Sequence, residues 1–294
     1  MLAAAALVAG TSLVAKGLGG PWAGPLHPLQ VTAGRFLFAL AALLALVAAL
    51  PARRPSLAGT PWGLHARRVA CGAGGVTLLF AAAARMPLAE ATALSFLSPL
   101  VTMALAVPLL GDRIGARQAL AAGLSVAGAA ILLRPGAEAV RPAALLALGS
   151  AALLGLEAVF IKRLADREPP VRMLLVSNAM GCALILPAAA LVWTPPGPAG
   201  WSLLAAVGIL MVLGQACFIQ AMRRARASSV VPAFYASLVF AAAYDAAAFG
   251  TVPSAAALIG AGLILAGALV LATAGTPLRA PDEDAARRDR PGRS

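Results

Sequence analysis

Charge is scarce in this chain. Asp, Glu, Lys and Arg together make up 12% of its 294 residues, whereas 61% are hydrophobic and the mean hydropathy is +0.88. No soluble core could absorb that much apolar surface, so a water-soluble globular fold is excluded and a polytopic membrane protein remains. Acidic residues are rarer still, 11 against 23 basic ones, and the net charge of +12 would point to nucleic acid if the chain were soluble. Here the arginines sit mostly in short stretches between apolar runs, where they orient a membrane protein, and no nucleic-acid partner is expected. The three cysteines, Cys71, Cys182 and Cys217, fall inside apolar runs with no CxxC spacing. That indicates neither a metal site nor a disulfide framework; they read as small buried hydrophobes. Of the two histidines, His27 sits in a loop and His65 beside Arg67 at a surface, and neither reads as catalytic. There is no HExxH and no Ser/His dyad or Asp/Glu cluster within a span, so the chain does not read as an enzyme. No Gly-rich phosphate loop is present either, so drive by ATP bound to this chain is unsupported and no cofactor is expected.

Long apolar runs are what the chain does have. The stretch Pro87–Leu133 reads as two of them, Pro87–Leu110 and Gly115–Leu133, joined by the polar turn Gly111-Asp112-Arg113-Ile114-Gly115. Each is long enough for a hydrocarbon core of about 30 Å, which takes roughly 20 helical residues. A weakened copy lies 139 positions later: Gly111 falls on Gly250, Ser98 on Ser237, Gly123 on Gly262 and Gly128 on Gly267. Three glycines and a serine in one register point to an internal duplication. The remaining runs are Leu2–Leu18, read as a retained first helix, then Gln30–Leu50, Val69–Ala84, Ala143–Leu164, Met173–Trp193 and Trp201–Met222.

The fold class expected is therefore an all-α polytopic membrane protein with ten transmembrane helices. Residues 1–134 form one five-helix repeat, 142–274 the other, and 275–294 a disordered cytoplasmic tail. Five is odd, so the second repeat must cross the membrane in the opposite sense to the first, giving inverted repeats. Eighteen of the 23 basic residues then fall on one side, in alternate loops and the tail, and five on the other. The positive-inside rule places both termini in the cytoplasm, and the plasma membrane is the expected location.

Three segments resemble a known family: GRFLFALAALLAL after the first loop, MPLAEATALSFLSPLVTMALAVPLLGDRIGARQALAAGLSVAGAAIL, and RRARASSVVPAFYASLVFAAAYDAAAFGTVPSAAALIGAGLILAGALVL. They closely resemble the EamA-like branch of the drug/metabolite transporter superfamily, over nearly the whole chain except the tail. The resemblance implies ten helices in two inverted repeats around a central cavity for small molecules, often exported. One departure is Thr251, where the family usually carries an acidic residue after the glycine that ends the ninth helix.

Candidate site residues follow from polar groups in apolar surroundings. Thr92, Ser95, Ser98 and Thr102 recur at helical spacing and form one stripe, interrupted by Pro99, which frees backbone groups as a structural kink. Such a break is tolerated where a cavity or protein satisfies the backbone, whereas hydroxyls that bond to their own helix are the plain alternative. The repeat transfers this face to Phe234 and Ser237, flanked by Tyr244 and Asp245, an aromatic and acidic wall suited to an amphipathic or cationic solute. Tyr244 also fits an interfacial anchor. Gln215 lies at comparable depth in the inverted copy of the third helix. Arg35 reads as one half of a possible ion pair with Glu90 or Asp245, or as a substrate contact. Glu157, inside the sixth helix, is suited to bind a cation or carry a proton as coupling ion, or else forms a structural pair with Lys162, Arg163 or another helix. Ala119, Gly123 and Ala127, with Gly262 and Ala266, make small-residue faces for packing within the chain or for a homodimer seam. A small-molecule substrate and the lipid bilayer complete the expected partners. Reporter fusions check the topology: a C-terminal fusion is expected to report the cytoplasm, and an external report would overturn the orientation.

Overall fold

The structure, a computed structural model, describes residues 1–18, 22, 26–50, 55–83, 94–112, 114–133, 142–250 and 255–273. Every regular element among them is helical: α1 Leu2–Leu18, α2 Pro28–Ala49, α3 Trp62–Ala83, α4 Ser98–Leu110, α5 Ala116–Leu133, α6 Pro142–Ala165, α7 Pro170–Ala190 and α8 Pro198–Arg224. A helical turn at Ala227–Val230 and a 3-10 turn at Pro232–Tyr235 lead into α9, Ala236–Phe249, and α10 spans Ala255–Thr273. Helices suit hydrocarbon because each satisfies its own backbone. Five stretches are long and apolar enough to cross a membrane: Leu29–Ala49, Ala144–Ala165, Pro170–Ala190, Pro198–Arg224 and Ala227–Ala248. Leu2–Ala15, Ser98–Leu110, Ala116–Ile131 and Leu258–Gly267 are apolar but shorter. Outward-facing Leu145 is 70% exposed and Leu269 63%, a surface that lipid covers and water would not tolerate.

Two elements differ from expectation. α3 begins at Trp62 rather than near Val69, directly after Pro61, so His65, Arg67 and Arg68 lie within the helix instead of in a turn. The ninth run is not one continuous helix, because Pro232 has no N–H to donate and the backbone tightens to a 3-10 turn there.

Packing is reciprocal between the halves. α3 lies on α6 as α1 lies on α8, α4 on α6 as α1 on α9, while α2 meets α7 and α5 meets α10. Exchanging helices one to five with six to ten reproduces each of these contacts. At the α5–α10 seam, a Cβ added at Gly128 would stand 2.5 Å from the Gly260 carbonyl oxygen and 2.8 Å from Ile264. One added at Gly267 would stand 2.8 Å from the Ala121 carbonyl oxygen and 2.7 Å from Ser125 Oγ. Ala121 and Gly260, and Ser125 and Ile264, are the residues that the 139-position offset equates. Gly75 and Gly214, also 139 positions apart, make close contacts of their own, with Leu154 and Val8. α4 and α9 both end on left-handed glycines, Gly111 at φ 70° and Gly250 at φ 66°, a conformation that a Cβ would strain.

The small residues expected to form packing faces point the other way. Ala119, Gly123 and Ala127 on α5, with Gly262 and Ala266 on α10, are exposed, and neither Gly123 nor Gly262 has an atom within 4 Å of an added Cβ. Gly128→Ala and Gly267→Ala should therefore each cost about 1–3 kcal/mol through overpacking, whereas Gly123→Ala and Gly262→Ala should be neutral. Thermal unfolding of the solubilised protein checks this; equal midpoints for Gly128→Ala and Gly123→Ala would remove the close seam.

Candidate functional site

Three charged side chains converge inside the helical body. Arg68, on the inward face of α3, points its Nε toward Glu157 Oε1 at 3.8 Å and donates from Nη1 to Ser177 Oγ of α7 at 2.5 Å. Its side chain is 3% exposed, that of Glu157 23%. Arg35 of α2 is near enough to Glu157 for their charges to interact, and its guanidinium carbon lies 4.5 Å from the centroid of the Phe36 ring. Gly72, one helical turn after Arg68, leaves the room that Glu157 occupies: a Cβ there would come within 2.9 Å of the carboxylate. Glu157 is thus held by another helix. Lys162 instead donates to Asp166 Oδ1 and to the Met222 carbonyl, and Arg163 to the Leu109 carbonyl.

The hydroxyl stripe on α4 divides. Thr102 Oγ1 donates to the Ser98 carbonyl and faces the Gly155 carbonyl at 3.2 Å, so it is spent on its own helix and on the α6 contact. Ser95 is buried, Ser98 is half-buried, and Thr92 and Glu90 lie outside the described residues. Pro99 stands in the first turn of α4, where its missing N–H costs nothing. The break lies just before it: Leu100 N–H turns back to the Leu97 carbonyl, and the Phe96 carbonyl so released accepts the Tyr235 hydroxyl at 2.6 Å.

In the second half, Phe234 is half-buried, its ring edge-on to Phe218 with centroids 5.7 Å apart. Ser237 is buried and its Oγ has no hydrogen-bond partner among the described residues. Gln215 is half-buried on α8. Tyr244 lines an open cavity of about 250 Å³ with Leu7, Gly10, Leu13 and Leu210, apart from the charged cluster. The Asp245 side chain lies outside the described atoms, so neither carboxylate expected beside Arg35 is described; the one beside it is Glu157. Asn178 donates to the Leu174 carbonyl of its own helix.

In the first turn of α3, His65 is fully buried rather than at a surface, with Nε2 2.8 Å from Glu168 Oε2. Among the described residues no group of three His, Cys, Asp or Glu could hold a metal ion. Arg68, Gly72 and Tyr235 were not legible as site residues. Arg68 follows Arg67 and reads as one more topology charge, although a glycine four positions on the same face was a signal of close approach. Tyr235 and Phe96 are copies of each other at the 139-position offset.

Glu157→Gln should destabilise the protein by roughly 3–5 kcal/mol, because the buried Arg68 loses its only close counter-charge among the described residues and cannot shed its own. Adding Arg68→Met should restore most of that loss in thermal unfolding. A double variant no more stable than Glu157→Gln would show that the two side chains are not coupled.

Comparison with known proteins agrees with this architecture. One solved protein crystal structure superposes with a TM-score of 0.77, covering 93% of this chain and 96% of its own at 23% identity, which establishes the shared fold. A riboflavin transporter of Vibrio cholerae is 30% identical over 218 residues, 72% of each chain. A pseudopaline exporter of Pseudomonas aeruginosa is 27% identical over 65% of this chain and 68% of its own. An S-adenosylmethionine uptake transporter of Rickettsia bellii is 28% identical over 63% of this chain and 64% of its own. The sequence model of the EamA-like transporter family matches twice, at residues 1–134 and 141–273. This chain, a multi-pass membrane protein and a transporter rather than an enzyme, belongs to the EamA-like transporter family.

Proposed function

We propose that the protein is a secondary transporter that exports a small organic metabolite across the cell membrane by alternating access between two inverted five-helix repeats, ten spans in all, with both termini in the cytoplasm. The observation that carries this reading is the position of the charge cluster. Arg35 and Arg68 come from the first half, Glu157 and Ser177 from the second, so a relative movement of the halves changes the surroundings of all four. The reciprocal glycine contacts support the two-fold relation that inverted repeats require. Relatives named for a transporter, an exporter and an uptake system agree on small-molecule transport and differ in direction. Export is favoured here by the family resemblance. In this reading Ser95, Ser98, Gln215, Phe234 and Ser237 line the path, and Glu157, partly open to its surroundings, is the carrier of a coupling proton.

Single cysteines in a chain whose Cys71, Cys182 and Cys217 are replaced by alanine test the path. A cysteine at Ser98 or Gln215 is expected to react with a membrane-impermeant methanethiosulfonate in intact membranes, and added substrate pools should change its rate. A cysteine at Thr102, which is 1% exposed, should stay unreactive. Equal inertness at all three positions would indicate a sealed centre and sink the transport path.

A further inference from the structure

Polar bonds cross between the two halves at the end of the molecule that the topology reading places in the cytoplasm. Asp112, just beyond α4, is buried, and its Oδ2 accepts the N–H of Ser228, in the turn before α9, at 3.1 Å. Gln118 of α5 donates to Ser229 Oγ at 3.0 Å, and Arg163 of α6 donates to the Leu109 carbonyl of α4 at 2.8 Å. His65 of α3 meets Glu168, between α6 and α7, at 2.8 Å. Beneath these bonds Ala106 of the first half shares an apolar cluster with Ile161, Leu164, Val230 and Val231 of the second.

Toward the opposite end the helices part. Gly10, Leu13 and Val14 of α1 line the open cavity with Leu210 and Tyr244. Gly214 meets Val8 where its copy Gly75 meets Leu154, so α1 and α6 correspond at an offset of 146. By that offset Leu13 and Val14 are the copies of Val159 and Phe160, and both of these are buried. One helix face is therefore open in its outer copy and packed in its cytoplasmic copy.

We infer that the form described here is open to the outer side and closed to the cytoplasm, and that Asp112 is the latch of the cytoplasmic closure. The inference rests on the alternating-access reading above and adds to it which end is shut and what holds it. The position of Asp112 is fixed by α4: Gly111 ends that helix in the left-handed conformation, and the Asp112 N–H returns to the Ala106 carbonyl. Movement of α4 away from the start of α9 must therefore break the bond to Ser228. A carboxylate acceptor makes such a bond about twice as strong as a neutral one does. The copy of Asp112 is Thr251 and that of Ser228 is Ala89, so the carboxylate of this latch is not repeated at the 139-position offset.

Thiol labelling tests this on the full chain in lipid nanodiscs, with Cys71, Cys182 and Cys217 replaced by alanine and a membrane-impermeant methanethiosulfonate as the probe. Leu13→Cys should react readily, whereas Ala106→Cys and Ala33→Cys, both at fully buried positions, should react slowly. Asp112→Ala should speed labelling of Ala106→Cys about tenfold, as expected from the loss of one hydrogen bond to a charged group, and leave Ala33→Cys slow. Asp112→Asn keeps a neutral acceptor and should fall between. An inert Leu13→Cys would show that the cavity faces lipid rather than outer water. A rate at Ala106→Cys that ignores Asp112→Ala would remove the latch, and equal acceleration at Ala106→Cys and Ala33→Cys would mean general loosening. Each of these results overturns the inference. The outcome is separable from the transport reading, because labelling at Ser98 and Gln215 reports the path whichever end is closed.

Discussion

A charge inside a hydrocarbon slab must be answered within a few ångströms, and the arrangement of α3, α6 and α7 follows from that demand. Arg68 cannot give up its proton, so Glu157 and Ser177 have to be brought to it. For the carboxylate to fit, α3 and α6 must approach without side chains in the way. Gly72 provides that clearance, and Gly74 and Gly75 extend it along the helix, where added Cβ atoms would meet Leu153 and Leu154 at 3.0 and 2.8 Å. The polar interaction and the small-residue seam are one design: the first supplies the reason for proximity, the second makes it sterically possible.

The α5–α10 seam solves the same problem without charge. Gly128 and Gly267 let two backbones meet directly, and because each glycine faces the other half's copy of its own neighbours, the contact is self-complementary. Exchange of equivalent residues across an interface is how a two-fold contact works in a symmetric dimer. Here it occurs within one chain, between segments related by the 139-position offset.

Much of this was readable in the sequence. The apolar runs, the 139-position offset and the glycines at 111, 250, 128 and 267 depend on composition and spacing, which the chain displays directly. The site was less legible, for two physical reasons. Arg68 and His65 sit beside Arg67 in a stretch whose composition suits a membrane surface, and only the start of α3 at Trp62 turns two of the three inward. Glu157 lacked a partner within its own helix, and long-range pairing across 89 positions leaves no local pattern. Pro99 was legible as a breaker but not as a helix start, since the same missing N–H serves either purpose according to what precedes it.

The hydroxyl of Tyr235 introduces an inequality into an otherwise paired arrangement. Tyr235 and Phe96 are equivalent positions, their rings 6.5 Å apart, and the bond runs one way: the hydroxyl of the second copy serves the carbonyl of the first. The reciprocal bond is not available, because Phe96 has no hydroxyl to donate to the carbonyl of Tyr235. The difference is about one membrane hydrogen bond, on the order of 0.6–1.7 kcal/mol. One oxygen atom, absent from one copy, therefore makes the two otherwise equivalent positions energetically unequal.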